Sequence, residues 1–186
     1  PGLWDDVLKK LCTLMDSRSG AIFFHDFEDN TRDMLGSFGL PTATLLAYRL
    51  GLSKYDYTFQ MQATAPSGRA QQLVDSEDFK KSHPFYYRFL LKPNDIGFLG
   101  AINIYNDEEW HIGIGLHRSF TNQPFSQEEL AKLELLLPHF QRALRIQKEF
   151  VHLRREKQTL ETALNRFMLG VIILNSDNSL YYTNPV

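Results

Sequence analysis

The sequence predicts an α+β domain: an antiparallel sheet with flanking helices, followed by one long C-terminal helix. Three observations carry the prediction. Two pairs of strand-like runs are each joined by a short polar turn, at residues 28–32 and 106–108. Helical segments precede the first pair and separate it from the second. After Gly115 no glycine recurs until Gly170, and an uninterrupted helical pattern fills most of that interval.

Residues 3–17 read as an amphipathic helix, because Trp4, Val7, Leu8, Leu11, Leu14 and Met15 share one stripe at three-and-four spacing. Asp5–Lys9 and Asp6–Lys10 are i,i+4 pairs with the acid first, which suits the helix dipole. Ala21-Ile22-Phe23-Phe24 reads as a buried strand with Met34–Phe38 as its partner. A short helix follows Pro41 and ends near Gly51. Gln71–Val74 has the pattern of a short strand, and Phe79 with the run from Phe85 to Leu91 suggests helices over a sheet face. Phe98–Tyr105 and Trp110–Arg118 form the second strand pair. In the latter, Trp110, Ile112, Ile114 and Leu116 alternate with His111, Gly113, Gly115 and His117, and period-two alternation marks a strand.

The long helix begins at a capping box. Ser126 can accept from the amide of residue 129 while Glu129 reaches back to the amide of residue 126, with Phe125 and Leu130 as the hydrophobic staple. Leu130, Leu133, Leu137, Phe140 and Leu144 form a first apolar stripe, expected to pack on the helix's own domain. Pro138 lies within it and predicts a kink, since its ring clashes with the carbonyl of Glu134. From Ile146 the spacing becomes a heptad. Ile146, Leu153, Leu160 and Phe167 hold one core position, and Phe150, Leu164 and Val171 the other, with Lys157 as the polar member. Such a seam is stable only when covered, so Ile146, Phe150, Leu153, Leu160, Leu164 and Phe167 are candidate residues of a homodimer interface. Residues 142–166 hold seven Lys/Arg against three Asp/Glu, which reads as the solvated face of a coiled coil, because the interleaved aromatics of a single-strand nucleic-acid site are missing. Val171–Leu174 and Leu180–Tyr182 then read as a β-hairpin. The expected organisation is a domain over 1–125, an exit and dimerisation helix over 126–168, and the opening of a second domain over 169–186.

Composition agrees with a folded core. The chain has 186 residues, 43% hydrophobic and 23% charged, which excludes disordered, collagen-like and disulfide-stapled classes. Twenty Lys+Arg against 22 Asp+Glu give a net charge of −2, so no global field points to nucleic acid or anionic membrane. A single cysteine, Cys12, fits a reducing compartment and a cytoplasmic location. No run approaches the ~18 apolar residues of a membrane span, and the first segment lacks the pattern of a signal peptide. Both ends look cut, and a piece of a longer protein is the expectation.

No catalytic constellation is legible. His111 and His117 share a strand face but lie six residues apart, roughly 20 Å at 3.3 Å per residue, too far for one metal ion. The sequence lacks metal-binding His/Cys spacings, a nucleophile elbow and a phosphate loop. Cys12 falls on the apolar side of its helix and reads as core. Catalytic residues, metal and cofactor are therefore expected to be none. Gly113 and Gly115 stand amid bulky neighbours on one strand face, and glycine within a strand often marks close approach of another group. That leaves two readings: a helix packed closely on the sheet, or room for a small ligand walled by aromatics such as Phe24, Tyr48, Tyr55, Tyr86 and Tyr87. Asp56 is the candidate polar anchor. The candidate ligand-binding residues are Tyr48, Tyr55, Asp56, Tyr86, Gly113 and Gly115.

Several stretches taken together are familiar: Phe24-His25-Asp26, Pro84-Phe85-Tyr86, Gly115-Leu116-His117-Arg118, and above all Leu137-Pro138-His139-Phe140-Gln141-Arg142-Ala143-Leu144. They resemble the GAF-like N-terminal sensor region of LuxR-type helix-turn-helix transcriptional regulators, and Gly170–Asn184 resembles the start of a PAS domain. The resemblance implies a GAF-type α/β sensor that dimerises and regulates transcription, with DNA contacted only through a domain outside these residues. The ligand class is not carried over. The same sensor feeding a histidine kinase or a cyclic-dinucleotide enzyme is the alternative, and a stand-alone small enzyme a third reading.

Overall fold

A computed structural model describes residues 2–27, 31–167 and 169–185. The chain divides into two units, Pro1–Phe140 and Gln141–Val186. The division falls inside the long helix, and the first unit keeps the buried Leu130, Leu133 and Phe140.

The first unit is built on a five-stranded sheet whose paired strands are all antiparallel. Its strands are β1 (Ser19–Asp26), β2 (Thr31–Phe38), β3 (Ala70–Asp75), β4 (Phe98–Asn106) and β5 (Trp110–Arg118), in the order β2-β1-β5-β4-β3. Both hairpins expected from the sequence form, and β1 and β2 run longer than their apolar cores. Asp107 makes the β4–β5 turn, its carboxylate accepting from the amides of Glu109 and Trp110 at 3.0 and 2.7 Å.

Helix α1 (Leu3–Leu14) packs on β1 and β2. Of the predicted stripe it buries Trp4, Leu8 and Leu11, with Met15 at its C-cap; Val7 is half-buried and Leu14 is exposed, while Cys12 joins the buried side. Asp5 caps this helix at 2.7 Å from the Gly2 amide and also accepts from the Ser37 amide at 2.9 Å. Those two backbone bonds, Ser37 first, hold its carboxyl below the usual range. Burial pushes the Cys12 thiol up to about 11.

The middle of the chain is helical, as the aromatic runs suggested. It comprises α2 (Thr42–Arg49), α3 (Tyr57–Ala63), β3, α4 (Ser76–Ser82) and α5 (Pro84–Tyr86), with a 3₁₀ turn at Leu52–Tyr55, a π turn at Tyr87–Leu91 and a 3₁₀ turn at Lys92–Asn94. Phe79, Tyr86, Leu90, Leu91, Val74 and Leu99 share one buried cluster there.

Helix α6 (Gln127–Asn165) runs through Pro138. Both arms of the predicted capping box are present, at 2.8 Å for the Ser126 amide to Glu129 and 3.2 Å for the Glu129 amide to Ser126 Oγ. The helix ends at Asn165, so Phe167 lies beyond its last regular turn. Within the second unit, Ile146, Phe150, Leu153 and Leu160 are each more than half exposed, as is Phe167, and Leu164 is half-buried. A hairpin follows, β6 (Ile172–Leu174) with β7 (Leu180–Thr183). Asn184 closes it, accepting from the Val171 amide at 2.7 Å and donating to the carbonyls of Leu164 and Leu169. No described helix is long and apolar enough to cross a membrane.

Candidate functional site

The register of the sheet decides which residues meet. Opposite β5, Ala21 faces Gly115, Phe23 faces Gly113 and His25 faces His111. On the other side Leu99 faces His117, Ala101 faces Gly115 and Asn103 faces Gly113. All of these lie on one face of the sheet by strand alternation. Gly113 and Gly115 then part company. A Cβ on Gly113 would meet the Phe23 ring at 2.2 Å, whereas one on Gly115 would meet nothing nearer than His117 Nε2 at 3.7 Å. Phe23 fills the first gap and the second stays open.

Over Gly115 lies a cavity of about 60 Å³. Ala21, Phe23, Leu99 and His117 line it from the sheet, and Tyr48, Asp56, Thr58, Gln62, Tyr86 and Asn94 are among its residues from the helical layer. Four of the six candidate ligand residues therefore come together: Tyr48, Asp56, Tyr86 and Gly115. Two do not. Gly113 is covered by Phe23, and Tyr55, on the 3₁₀ turn, is 57% exposed and tilted against Phe85. Phe24 faces the other way and meets Trp110 edge-on.

Asp56 organises the polar wall. It caps α3, its Oδ1 accepting from the amides of Thr58 and Phe59 at 3.0 and 3.2 Å. The same oxygen accepts from Thr58 Oγ1 at 2.6 Å and from the Tyr86 hydroxyl at 2.9 Å. Its Oδ2 accepts from the Tyr48 hydroxyl at 3.0 Å. Burial, and next the Asp56 charge, push both phenols well above their ordinary range. Two tyrosines from α2 and α5 are thus fixed by one carboxylate at the start of α3.

Sequence reasoning missed Thr58, Gln62, Asn94 and Phe23. Thr58 and Gln62 are four apart on α3 and share a face, a signal that the short helix obscured. The backbone of Gln62 is pinned to the sheet, since Asn103 Nδ2 donates to its carbonyl at 2.6 Å. Its side chain is 3% exposed, and Nε2 has no acceptor. His117 takes part through Nδ1, 2.9 Å from Ser19 Oγ, and burial lowers its pKa to about 4. No cluster of three metal-ligating side chains occurs among the described residues.

The neighbouring residue of β5 serves the opposite side. Arg118 is 4% exposed and makes a two-point ion pair with Glu129, at 2.6 and 3.2 Å. It also donates to the carbonyls of Met15, Asp16, Gln123 and Pro124 and lies 4.1 Å over the Phe125 ring. One guanidinium gathers the end of α1, the loop after β5 and the first turn of α6.

No family model matches the chain, and no curated protein sequence matches it. Solved structures do. The VqsR LBD domain from Pseudomonas aeruginosa superposes with a TM-score of 0.60 at 21% identity, over 79% of this chain and 87% of its own. The GAF domain/HD domain protein from Geobacter sulfurreducens gives 0.50 at 21% identity, over 75% and 91%. The fold is GAF-like. The N-acylhomoserine lactone dependent LuxR family transcription factor CepR2 from Burkholderia cenocepacia matches at 0.55 and 12% identity, over 71% and 76%. The chain thus has its fold in common with these three proteins, each at low sequence identity.

Proposed function

We propose that this chain is the sensory and dimerisation module of a bacterial LuxR-type transcriptional regulator. It acts by binding rather than catalysis, in the cytoplasm, with a small molecule as its ligand and a helix-turn-helix outside these residues as its output. Residues 169–186 open a PAS-like domain on this reading. The observation that carries it is the double use of β5: Gly115 and His117 face the cavity, while Arg118 holds Glu129 at the start of α6. A change in the cavity moves the strand that clamps the exit helix. Packed interfaces answer such shifts by switching between arrangements rather than by bending continuously, and a dimeric α6 gives the switch its readout. The likeness to CepR2, an N-acylhomoserine lactone dependent LuxR family transcription factor, supports this reading.

The heptad seam is the dimerisation surface in this proposal. Sedimentation of the 186-residue chain at high micromolar concentration tests it, with a dimer expected and a monomer overturning the relay. Native mass spectrometry of the same sample looks for a retained small molecule. A second reading, the same sensor feeding a signalling enzyme, is favoured by the likeness to the GAF domain/HD domain protein. The coding sequence downstream of residue 186 separates the two outputs.

A further inference from the structure

One stretch of the first unit's surface is both aromatic and cationic. Tyr55, Phe85 and Phe89 are each more than half exposed. Their rings nevertheless form a row, 5.8 Å between the centroids of Tyr55 and Phe85 and 4.6 Å between those of Phe85 and Phe89. With about 150–250 Å² on each aromatic side chain, the half left in water sums to the order of 300 Å². Single exposed apolar residues are ordinary, whereas a joined patch of that size marks an interaction site. Cations alternate with the rings. Lys54 precedes Tyr55, Arg88 lies 5.9 Å from the Phe89 centroid, and Lys92 follows one turn later. All three are exposed, and none makes an ion pair among the described residues. Residues 84–94 contain no Asp or Glu, and Asp56, next to Tyr55, is committed to the Tyr48 and Tyr86 hydroxyls.

The same unit carries a complement to this patch. The β4–β5 turn presents Asp107, Glu108 and Glu109 in succession, all exposed, between Tyr105 and Trp110. Its shape is set in advance, because Asp107 accepts from the amides of Glu109 and Trp110, and a preformed tip spares the ordering cost of association. A chain cannot cover its own patch with this tip. The Ile96 amide donates to the Leu91 carbonyl at 2.9 Å, which seats the end of the helical run beside the start of β4. From there β4 carries the chain roughly 25 Å away at 3.3 Å per residue.

We propose that the Tyr55–Phe85–Phe89 patch receives the acidic β4–β5 tip of a second copy of this chain, Lys54, Arg88 and Lys92 facing Asp107, Glu108 and Glu109. A contact between unlike surfaces either closes as a two-fold pair in which it occurs twice or continues head to tail. The patch is well below the roughly 800 Å² per partner of a standard interface. The contact is therefore weak and salt-sensitive, unlike the apolar seam on α6. A nucleic-acid strand fits less well. The rings lean on one another at 56° and 40°, and Arg88 lies over Phe89, so open faces for stacking bases are few.

The test uses the 186-residue chain carrying Leu153→Glu and Leu160→Glu, which takes the α6 seam out of play. Sedimentation equilibrium into the millimolar range should show self-association in about 0.05 M sodium chloride that is lost in about 1 M, where the screening length falls to about 3 Å. Arg88→Glu and Glu108→Lys, both at exposed positions, should each weaken it at least about ten-fold. An equimolar mixture of the two should recover a mixed complex that neither forms alone, since the intact tip of one meets the intact patch of the other. Phe85→Ser with Phe89→Ser should weaken association as far with every charge kept, and the charge reversals decide the matter if that double variant unfolds. A chain that stays monomeric at low salt, association indifferent to both reversals, or a mixture that restores nothing overturns the proposal. So does Arg88-dependent binding of oligothymidine or of phosphatidylserine vesicles by a chain that does not self-associate, which would give the patch to another partner.

Discussion

Arg118 Nη2 lies 2.6 Å from Glu129 Oε1, and that same carboxylate caps α6 by accepting from the Ser126 amide. One acid thus serves two functions, closing the helix terminus and neutralising a buried guanidinium. The Arg118 bonds come first among the causes that lower the Glu129 pKa from 4.5 to about 2, followed by the Ser126 amide. A carboxylate whose folded pKa is depressed contributes stability above its unfolded pKa and loses it as pH falls. The window is therefore pH 4.5 down to 2. Glu129→Gln should cost about 1.5–3 kcal/mol at neutral pH, the range for a hydrogen bond to a charged group, and should flatten the acid limb in that window. Arg118→Ala should cost more, about 3–5 kcal/mol, because a buried pair is broken and four carbonyls lose their donor. Urea midpoints measured from pH 7 to pH 2 check both.

The two buried histidines of β5 give a second, higher window. Burial lowers His117 to about 4, and burial followed by the charges of His25 and Arg32 lowers His111 to about 4. The unfolded chain takes up these protons near pH 6.5 and the native state refuses them until about 4. Stability is thus full above pH 6.5 and falls as pH drops to 4. The imidazole Hε1 signals of both residues should stay at their neutral positions down to pH 5. Midpoints near 6.5 would contradict the buried placement.

Gly113 and Gly115 predict opposite outcomes for one substitution. The Phe23 ring that a Cβ on Gly113 would strike is itself set edge-on to Phe59 and His111, both at 5.5 Å between centroids. It has little room to yield, and Gly113→Ala should cost about 1–3 kcal/mol, as overpacking does. Gly115→Ala meets only ordinary contact and should be neutral or stabilise by up to about 1 kcal/mol, because alanine restricts the unfolded chain, while narrowing the cavity. Thermal melts of the pair make the comparison.

Asp56→Ala should be among the costlier changes outside the apolar core. It removes the cap of α3, about 1 kcal/mol, and strands the Tyr48 and Tyr86 hydroxyls, about 1–3 kcal/mol more. Tyr86→Phe, which leaves Asp56 its other donors, should cost about 1 kcal/mol. Chemical denaturation of the three proteins orders them.

The differences between Gly113 and Gly115, and between Tyr55 and Tyr48, show where sequence reading stopped. Alternation along β5 put both glycines on one face correctly, because side-chain direction in a strand depends only on position. Which glycine stays open depends on cross-strand register, which sets Phe23 against Gly113, and no local pattern encodes that. Tyr48, Tyr55 and Tyr86 are alike in composition. A 3₁₀ turn at Leu52–Tyr55 sends Tyr55 outward to Phe85, whereas α2 and α5 aim the other two at Asp56. Glu129 was legible as a cap, since capping is local, but not as the partner of Arg118, eleven residues away across a loop. Gln62 was illegible because Asn103, 41 residues later, anchors its carbonyl.

The seam on α6 yields the last prediction. Leu153 and Leu160 are 57% and 66% exposed in a single chain and lie one heptad apart, so both fall in one stripe. If two chains bury that stripe, each leucine contributes on the order of 1.5–3 kcal/mol, and every substitution counts twice in a symmetric pair. Leu153→Glu with Leu160→Glu should then weaken self-association at least about 100-fold, since each 1.4 kcal/mol is a factor of ten. Like charges facing each other across the seam add to the loss. The exposed Gln158→Glu, off the stripe, carries the same kind of charge and should leave association unchanged. Sedimentation equilibrium over a micromolar series reads all three. The first unit should melt as before in each, because Leu130, Leu133 and Phe140, not the seam, supply its share of the helix core.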